Sequence, residues 1–301
     1  MILARFATEL IAHNSHRFSV GTTGASPMKL EELLASSGPL PSIPKVIALL
    51  LNELGREEPN LRKITQMINT DPVLTTRLLR LANSAQFHLE TQIGSVSEAL
   101  ALLGFRQVHS LATVAAVAGA FKGVQGMDMN AFWRYSLNVA RLTRSLAGLA
   151  HQNQSAAFTA GLIHAIGELV LRLALPVEMS TLDPSTPPLG LKRAAAEHQL
   201  LGYSFAQVGA GFARQWHFPS PIVDALEHQN APFENGVYEP LAGVLHLAMW
   251  RARAHEDRLS EQRLIGHFPD RVALVLALDR DMVFGEDPRE WSSQADVDVL
   301  M

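Results

Sequence analysis

The chain has 301 residues, 48% hydrophobic and 18% charged, which is enough apolar side chain to build one large domain or two closely packed ones and excludes a disordered chain. A formal net charge of −4 and a pI near 6.3 argue against binding nucleic acid or an anionic membrane through general positive charge. There is no cysteine, so disulfides and any cysteine-ligated zinc or iron–sulfur site are excluded, in keeping with a reducing compartment.

Nearly every segment reads with a helical period and almost none with strand alternation. The opening MILARFATEL carries Arg5 and Glu9 where a secretory leader would be apolar, so no leader is expected. The first 25 residues, ending SVGTTGAS, are expected to form a weakly ordered arm. Ile43, Val46, Ile47, Leu50, Leu51 and Leu54 recur at helical spacings, with Pro44 at the start of the run, where its missing N–H is tolerated. Asp71-Pro72 couples an N-cap carboxylate to a proline at the first helical position and opens DPVLTTRLLRLANSA. Ser95 and Glu98 stand at capping-box spacing and open a helix ending at Gly104.

Further helices are expected over 105–121, 129–150, 155–175, 188–201, 204–216 and 239–255, and Ser220-Pro221 opens another at IVDALEH. GVQG at 123–126, DPSTPP at 183–188 and HFPSP at 217–221 are the breakers between them. The most apolar stretch is read as 107–121. It holds His109 and falls short of the roughly 20 apolar residues that span a bilayer, so a buried helix is expected and no membrane span. Beyond FGEDP the chain is acidic and is expected to form one short packed helix.

Two ordered series of motifs carry a family likeness. LPSIPKVIALLLNEL, ITQMINTDPVLTTRLLRLANSAQF and GSVSEALALLGFRQVHSLA follow one another as in the N-terminal half of HDOD domains, which this part of the chain resembles. FWRYSLNVARLTRSLA, FTAGLIHAIGELVL, FARQWHFPSPIVDALEHQNAP and LAGVLHLAMWRARA resemble the helical core that such domains share with HD-type metal-dependent phosphohydrolases. The likeness covers residues 39–255. It implies an all-α fold, a multi-helix HD-like bundle with a packed N-terminal helical subdomain. The chain then divides into the arm at 1–25, an N-terminal helical half at 26–123, an HD-like half at 124–258 and a C-terminal helical extension at 259–301.

HD-type hydrolases hold one or two metal ions with a His, a His-Asp doublet and a distant Asp, and the metal activates water for attack on phosphorus. At the positions that match those ligands, this sequence has Tyr135, His164, Ala165 and Met249. A phenol with a pKa near 10 is a poor ligand at neutral pH, and alanine and methionine offer nothing to a hard divalent ion. No catalytic residue, metal or cofactor is therefore expected. His164 has three readings: a relic ligand, a small-molecule contact, or a core histidine bonded to backbone, which is the common fate of a lone histidine on an apolar helix. His228 and His246 would make a three-imidazole zinc site only if the fold brought them to His164. Glu168, four residues on, either lines the former cleft beside His164 or is an exposed charge. Phe132, Trp133 and Tyr135 read as core packing before an aromatic wall.

A second constellation is Arg77, Arg80, Asn83 and Ser84, with Arg106 as an added member. Arg77 and Arg80 share a helix face. They read either as a dock for a carboxylate, phosphate or acidic partner helix, or as an internal salt-bridge network with Asp71 or Glu98. In the second reading Asn83 and Ser84 cap the helix end. Arg141 and Arg144 read as a solvated face. Serine-nucleophile, phosphate-loop and dinucleotide motifs are absent.

The resemblance implies a cytoplasmic, non-catalytic module of bacterial signal transduction that acts by binding a signalling protein or a small ligand. The alternative is a metal-dependent phosphohydrolase acting on a nucleotide or cyclic dinucleotide. Direct DNA binding through the Arg77–Arg80 helix is weakened by the net charge and by the lack of an exposed basic recognition helix.

Overall fold

The computed structural model describes residues 28–35, 45–56, 58–70, 72–83, 93–121, 123–216, 218–233, 236, 238–256 and 265–285. The N-terminal arm, the acidic C-terminal end, Asp71 and Ser84 lie outside them, as does the side chain of Arg80. Among the described residues every regular element is a helix. The N-terminal part comprises α1 (Leu30–Ala35), α2 (Lys45–Leu54), α3 (Leu61–Asn69), α4 (Pro72–Ala82) and α5 (Val96–Ala120). Ser95 and Glu98 form the capping box at the start of α5. Gly104 interrupts it where the sequence places the boundary: with φ +71° and ψ 163° it leaves helical geometry, in a conformation that a glycine adopts without steric penalty, and the two expected helical segments meet there at a kink. Helices α2, α3 and α4 pack around α5 and bury Leu50, Ile64, Ile68, Leu74 and Leu78.

The remaining helices are α6 (Met129–Leu149), α7 (Gln154–Ile163), α8 (Ile166–Ala174), α9 (Pro176–Leu182), α10 (Arg193–Leu201), α11 (Phe205–Gln215), α12 (Ser220–His228) and α13 (Pro240–Glu256), followed by α14 (Asp270–Val275) and α15 (Arg280–Phe284). Asp128 caps α6 by accepting from Ala131 N–H, and Asn153 caps α7 by accepting from Ser155 and Ala156 N–H. Helices α6 and α7 pack most closely. A Cβ at Gly161 would stand 2.6 Å from the Ala140 Cα, so only glycine permits that approach. The N-terminal part meets this core where α5 packs on α7 and α1 on α11.

The helix expected over 155–175 is broken into α7 and α8 at His164–Ala165, where Ala165 leaves helical geometry at φ −109° and ψ 10°. The break lets α8 press onto α11 so tightly that a Cβ at Gly167 would fall 1.9 Å from the Phe205 carbonyl oxygen. Gln154–Ala174 is also the one described stretch long and apolar enough to cross a membrane by length and composition. The expectation had placed the most apolar run at 107–121. In the fold, 89% of the apolar window within 154–174 is buried, as core segments are. The helix expected over 188–201 starts only at Arg193, because residues 187–192 form a turn in which Leu189 holds φ +60°.

Candidate functional site

The break between α7 and α8 sets His164 at a helix end, where its ring turns back and Nδ1 lies 2.7 Å from the Gly161 carbonyl oxygen. That distance requires a proton on Nδ1. His164 is 1% exposed, and burial, with the Arg253 cation as a smaller influence, pushes its pKa down to about 4. The ring is therefore neutral at physiological pH, with its lone pair on Nε2. Gln229, just past the end of α12, fixes the same corner by donating from Nε2 to the His164 carbonyl at 3.1 Å. Of the three readings of His164, the backbone-bonded histidine is the geometry found, and it also borders a cavity.

That cavity, about 220 Å³, is lined by Tyr135 of α6, His164 and Ala165 at the break, the turn Leu189–Leu191, Ala194 and Ala195 of α10, Phe205 of α11, Asn230, and His246, Met249 and Trp250 of α13. The four positions that match the metal ligands thus share one cavity. The Tyr135 ring meets the His164 ring edge-on at 5.5 Å, and Arg253 stacks on the Tyr135 ring at 4.4 Å. The Nδ1 of His246 lies 2.8 Å from the Gln229 carbonyl oxygen. His228 does not line the cavity, so the three histidines do not converge on it.

A metal does not fit this donor set. Ala165 has no donor atom, Met249 brings only a thioether, and the lining has no carboxylate. Among the described residues no group of three or more His, Cys, Asp or Glu is placed to hold an ion.

Glu168 lies neither in the cleft nor at the surface. It is 1% exposed and belongs to a buried ionic network that the sequence reading missed. Its Oε1 accepts from Arg172 Nε at 2.9 Å and faces Arg193 Nη2 at 3.1 Å. Asp183 receives both guanidinium groups, at 2.6 Å from Arg172 and 2.9 Å from Arg193. Arg193 Nε also donates to Glu197 at 3.0 Å, and Glu197 accepts from Phe205 N–H at 2.7 Å. Burial, followed by the neighbouring Glu168 carboxylate, pushes Glu197 up to about 9. The i,i+4 pairs Glu168–Arg172 and Arg193–Glu197 were the available signal.

Of the second constellation, Ser84 and the side chain of Arg80 lie outside the described residues. Asn83 closes the end of α4, donating from Nδ2 to the Leu79 and Ile93 carbonyls and accepting from Ile93 N–H at 2.7 Å. Glu98, a suggested salt-bridge partner of Arg77 and Arg80, spends its carboxylate on the Gly94 and Ser95 N–H groups. Arg106 stands by Arg141 and Arg144, whose charges act on one another. Arg144 is not on a solvated face. Its guanidinium covers the Phe158 ring at 4.0 Å, and burial lowers its pKa to about 10. Beside it, His109 is buried and bonds Thr159 at 3.3 Å, joining α5 to α7. Of the aromatic trio, only Tyr135 reaches the cavity, while Phe132 and Trp133 pack edge-on in the core.

An all-helical HD-like bundle with a cleft poor in metal-ligating side chains defines the class of protein. Residues 40–232 match the HDOD domain family, and the chain belongs to that family. A solved protein from Shewanella amazonensis SB2B, provisionally named a phosphohydrolase, is 28% identical with a TM-score of 0.70 over 92% of this chain and 97% of that one. A structure from Marinobacter aquaeolei VT8, provisionally named a signal transduction protein, shares the fold at 22% identity and a TM-score of 0.69 over 97% of this chain and 62% of that one. An uncharacterised protein of Treponema pallidum is 25% identical over 219 residues, 69% of this chain and 41% of that protein, so the chain spans about two fifths of that relative's length.

Proposed function

We propose that this HDOD chain is a non-catalytic signal-transduction module that works by binding, with the cleft of the HD-like fold serving as a ligand pocket in place of a metal centre. The observation that carries this reading is the cavity's lining. Hydrolysis of a phosphodiester by the HD route needs carboxylates and imidazoles around a cation. Here the matching positions supply one neutral imidazole, a phenol, a methyl group and a thioether. A ligand that favours one packing of the helices around the cavity would shift the population of that packing and so change the surface offered to a partner protein.

The Marinobacter relative's signal-transduction name is compatible with this reading but adds no weight at that identity. The test is hydrolysis of bis(p-nitrophenyl) phosphate and of nucleoside and cyclic dinucleotide phosphates by tag-free protein, with Mn²⁺, Fe²⁺, Ni²⁺ or Zn²⁺ added. Rates equal to those of buffer with metal are expected. Turnover that disappears in His164→Ala would replace this reading with the phosphohydrolase alternative.

A further inference from the structure

The cavity's chemistry narrows what it accepts. None of its lining residues is Asp, Glu, Lys or Arg. A cation would find no counter-charge there, and the Arg253 guanidinium lies against the Tyr135 ring rather than in the lining. A phosphate fits no better. Its oxygens would meet no cationic side chain in the lining, only the neutral donors of Tyr135, Asn230 and Trp250, and His164 offers it no N–H, because Nδ1 holds its proton on the Gly161 carbonyl and Nε2 keeps a lone pair. Two like lone pairs repel, and a buried acceptor left unmatched weakens binding.

The walls contributed by Tyr135, Phe205 and Trp250 are aromatic, and Leu189, Leu191 and Met249 are aliphatic. A cavity of about 150 Å³ suffices for benzene, so about 220 Å³ suits one ring or a fused pair. One face of the cavity is the turn at 187–191, in which Leu189 keeps φ +60°. Leucine rarely adopts that conformation. The turn is tied at one end by Arg193 Nη1 donating to the Thr186 carbonyl at 2.7 Å, and within itself by Gly190 N–H donating to the Pro187 carbonyl at 3.0 Å. The ionic network anchored on Glu168 thus holds the wall of the cavity in place.

We infer that this cavity is the binding site of a small, uncharged aromatic molecule, one or two rings in size, bearing a single N–H or O–H group that donates to Nε2 of His164. This rests on the reading of the chain as a binding module and names the chemical class of its ligand. Trp250 reports occupancy, since it lines the cavity on one side and on the other packs edge-on against Phe268 at 5.4 Å.

The experiment uses the full chain and two probes of equal shape, indole and benzofuran, the second having a ring oxygen in place of the N–H. Binding is followed by calorimetry and by tryptophan fluorescence where the probe's own emission permits. Saturable 1:1 binding of indole is expected, about tenfold tighter than benzofuran, as one buried hydrogen bond predicts. In His164→Leu the preference for indole is expected to vanish while benzofuran binding persists. Failure of the unsubstituted protein to bind indole, or equal affinity for the two probes, overturns the inference without needing any variant. Benzoate or inorganic phosphate binding better than indole overturns it in favour of an anion site. The binding-module reading fails separately, through metal-dependent turnover, so the two failures are distinguishable.

Discussion

The buried, neutral state of His164 has a direct thermodynamic consequence. In the unfolded chain an imidazole titrates near 6.5, whereas in the fold burial holds His164 at about 4. A depressed base contributes nothing unfavourable above the unfolded pKa. As pH falls below 6.5 the unfolded chain takes up a proton that the folded chain refuses, and stability is lost until about pH 4. At about 1.36 kcal/mol for each pH unit of unequal proton uptake, the loss between pH 7 and pH 4.5 comes to about 2 kcal/mol. His164→Leu removes this titration. Urea unfolding at both pH values, for the unsubstituted protein and the variant, isolates the His164 share because the carboxylates common to both cancel in the difference. The acid loss is expected to be smaller in the variant by about 2 kcal/mol. Identical acid losses would refute the claim that the ring is buried and uncharged.

The same structure predicts other outcomes. Glu197, raised to about 9 in the fold, binds a proton that the unfolded chain has released above about pH 4.5, so stability falls as pH rises from 7 to 9. Glu197→Gln is expected to remove about 2 kcal/mol of that fall, read from urea midpoints at the two pH values. Gly167→Ala drives a methyl group into the Phe205 carbonyl and is expected to lower stability by about 3 kcal/mol or more, visible as a large drop in the calorimetric Tm. Asn83→Ala removes the side chain that bonds both Ile93 groups at the end of α4, while the Leu79 carbonyl keeps the Asn83 backbone N–H, and is expected to lower stability by about 1 kcal/mol in the same assay.

Fold and family were legible because ordered motifs and local caps survive in a single sequence. The Ser95–Glu98 box is where its spacing put it. Tyr135, His164, Ala165 and Met249 line one cavity although more than a hundred residues separate the first from the last. Features set by long-range packing were not legible. Nothing in FTAGLIHAIGELVL announces the break at His164–Ala165, which exists because α8 must lie against α11 at Gly167. The burial of Glu168 depends on Arg193 of α10, which reaches it directly, and on Asp183 at the end of α9, which holds both guanidinium groups. Asn230, just past α12, and Trp250, on α13, join the cavity from two different parts of the chain.

The claim that the HD cleft has become a metal-free binding pocket is tested most directly by elemental analysis of tag-free protein after incubation with Mn, Fe, Ni and Zn salts and desalting. The account predicts less than about a tenth of an equivalent of any of them, because one imidazole without carboxylates cannot retain a divalent ion. A stoichiometric metal that is lost in His164→Ala would contradict it.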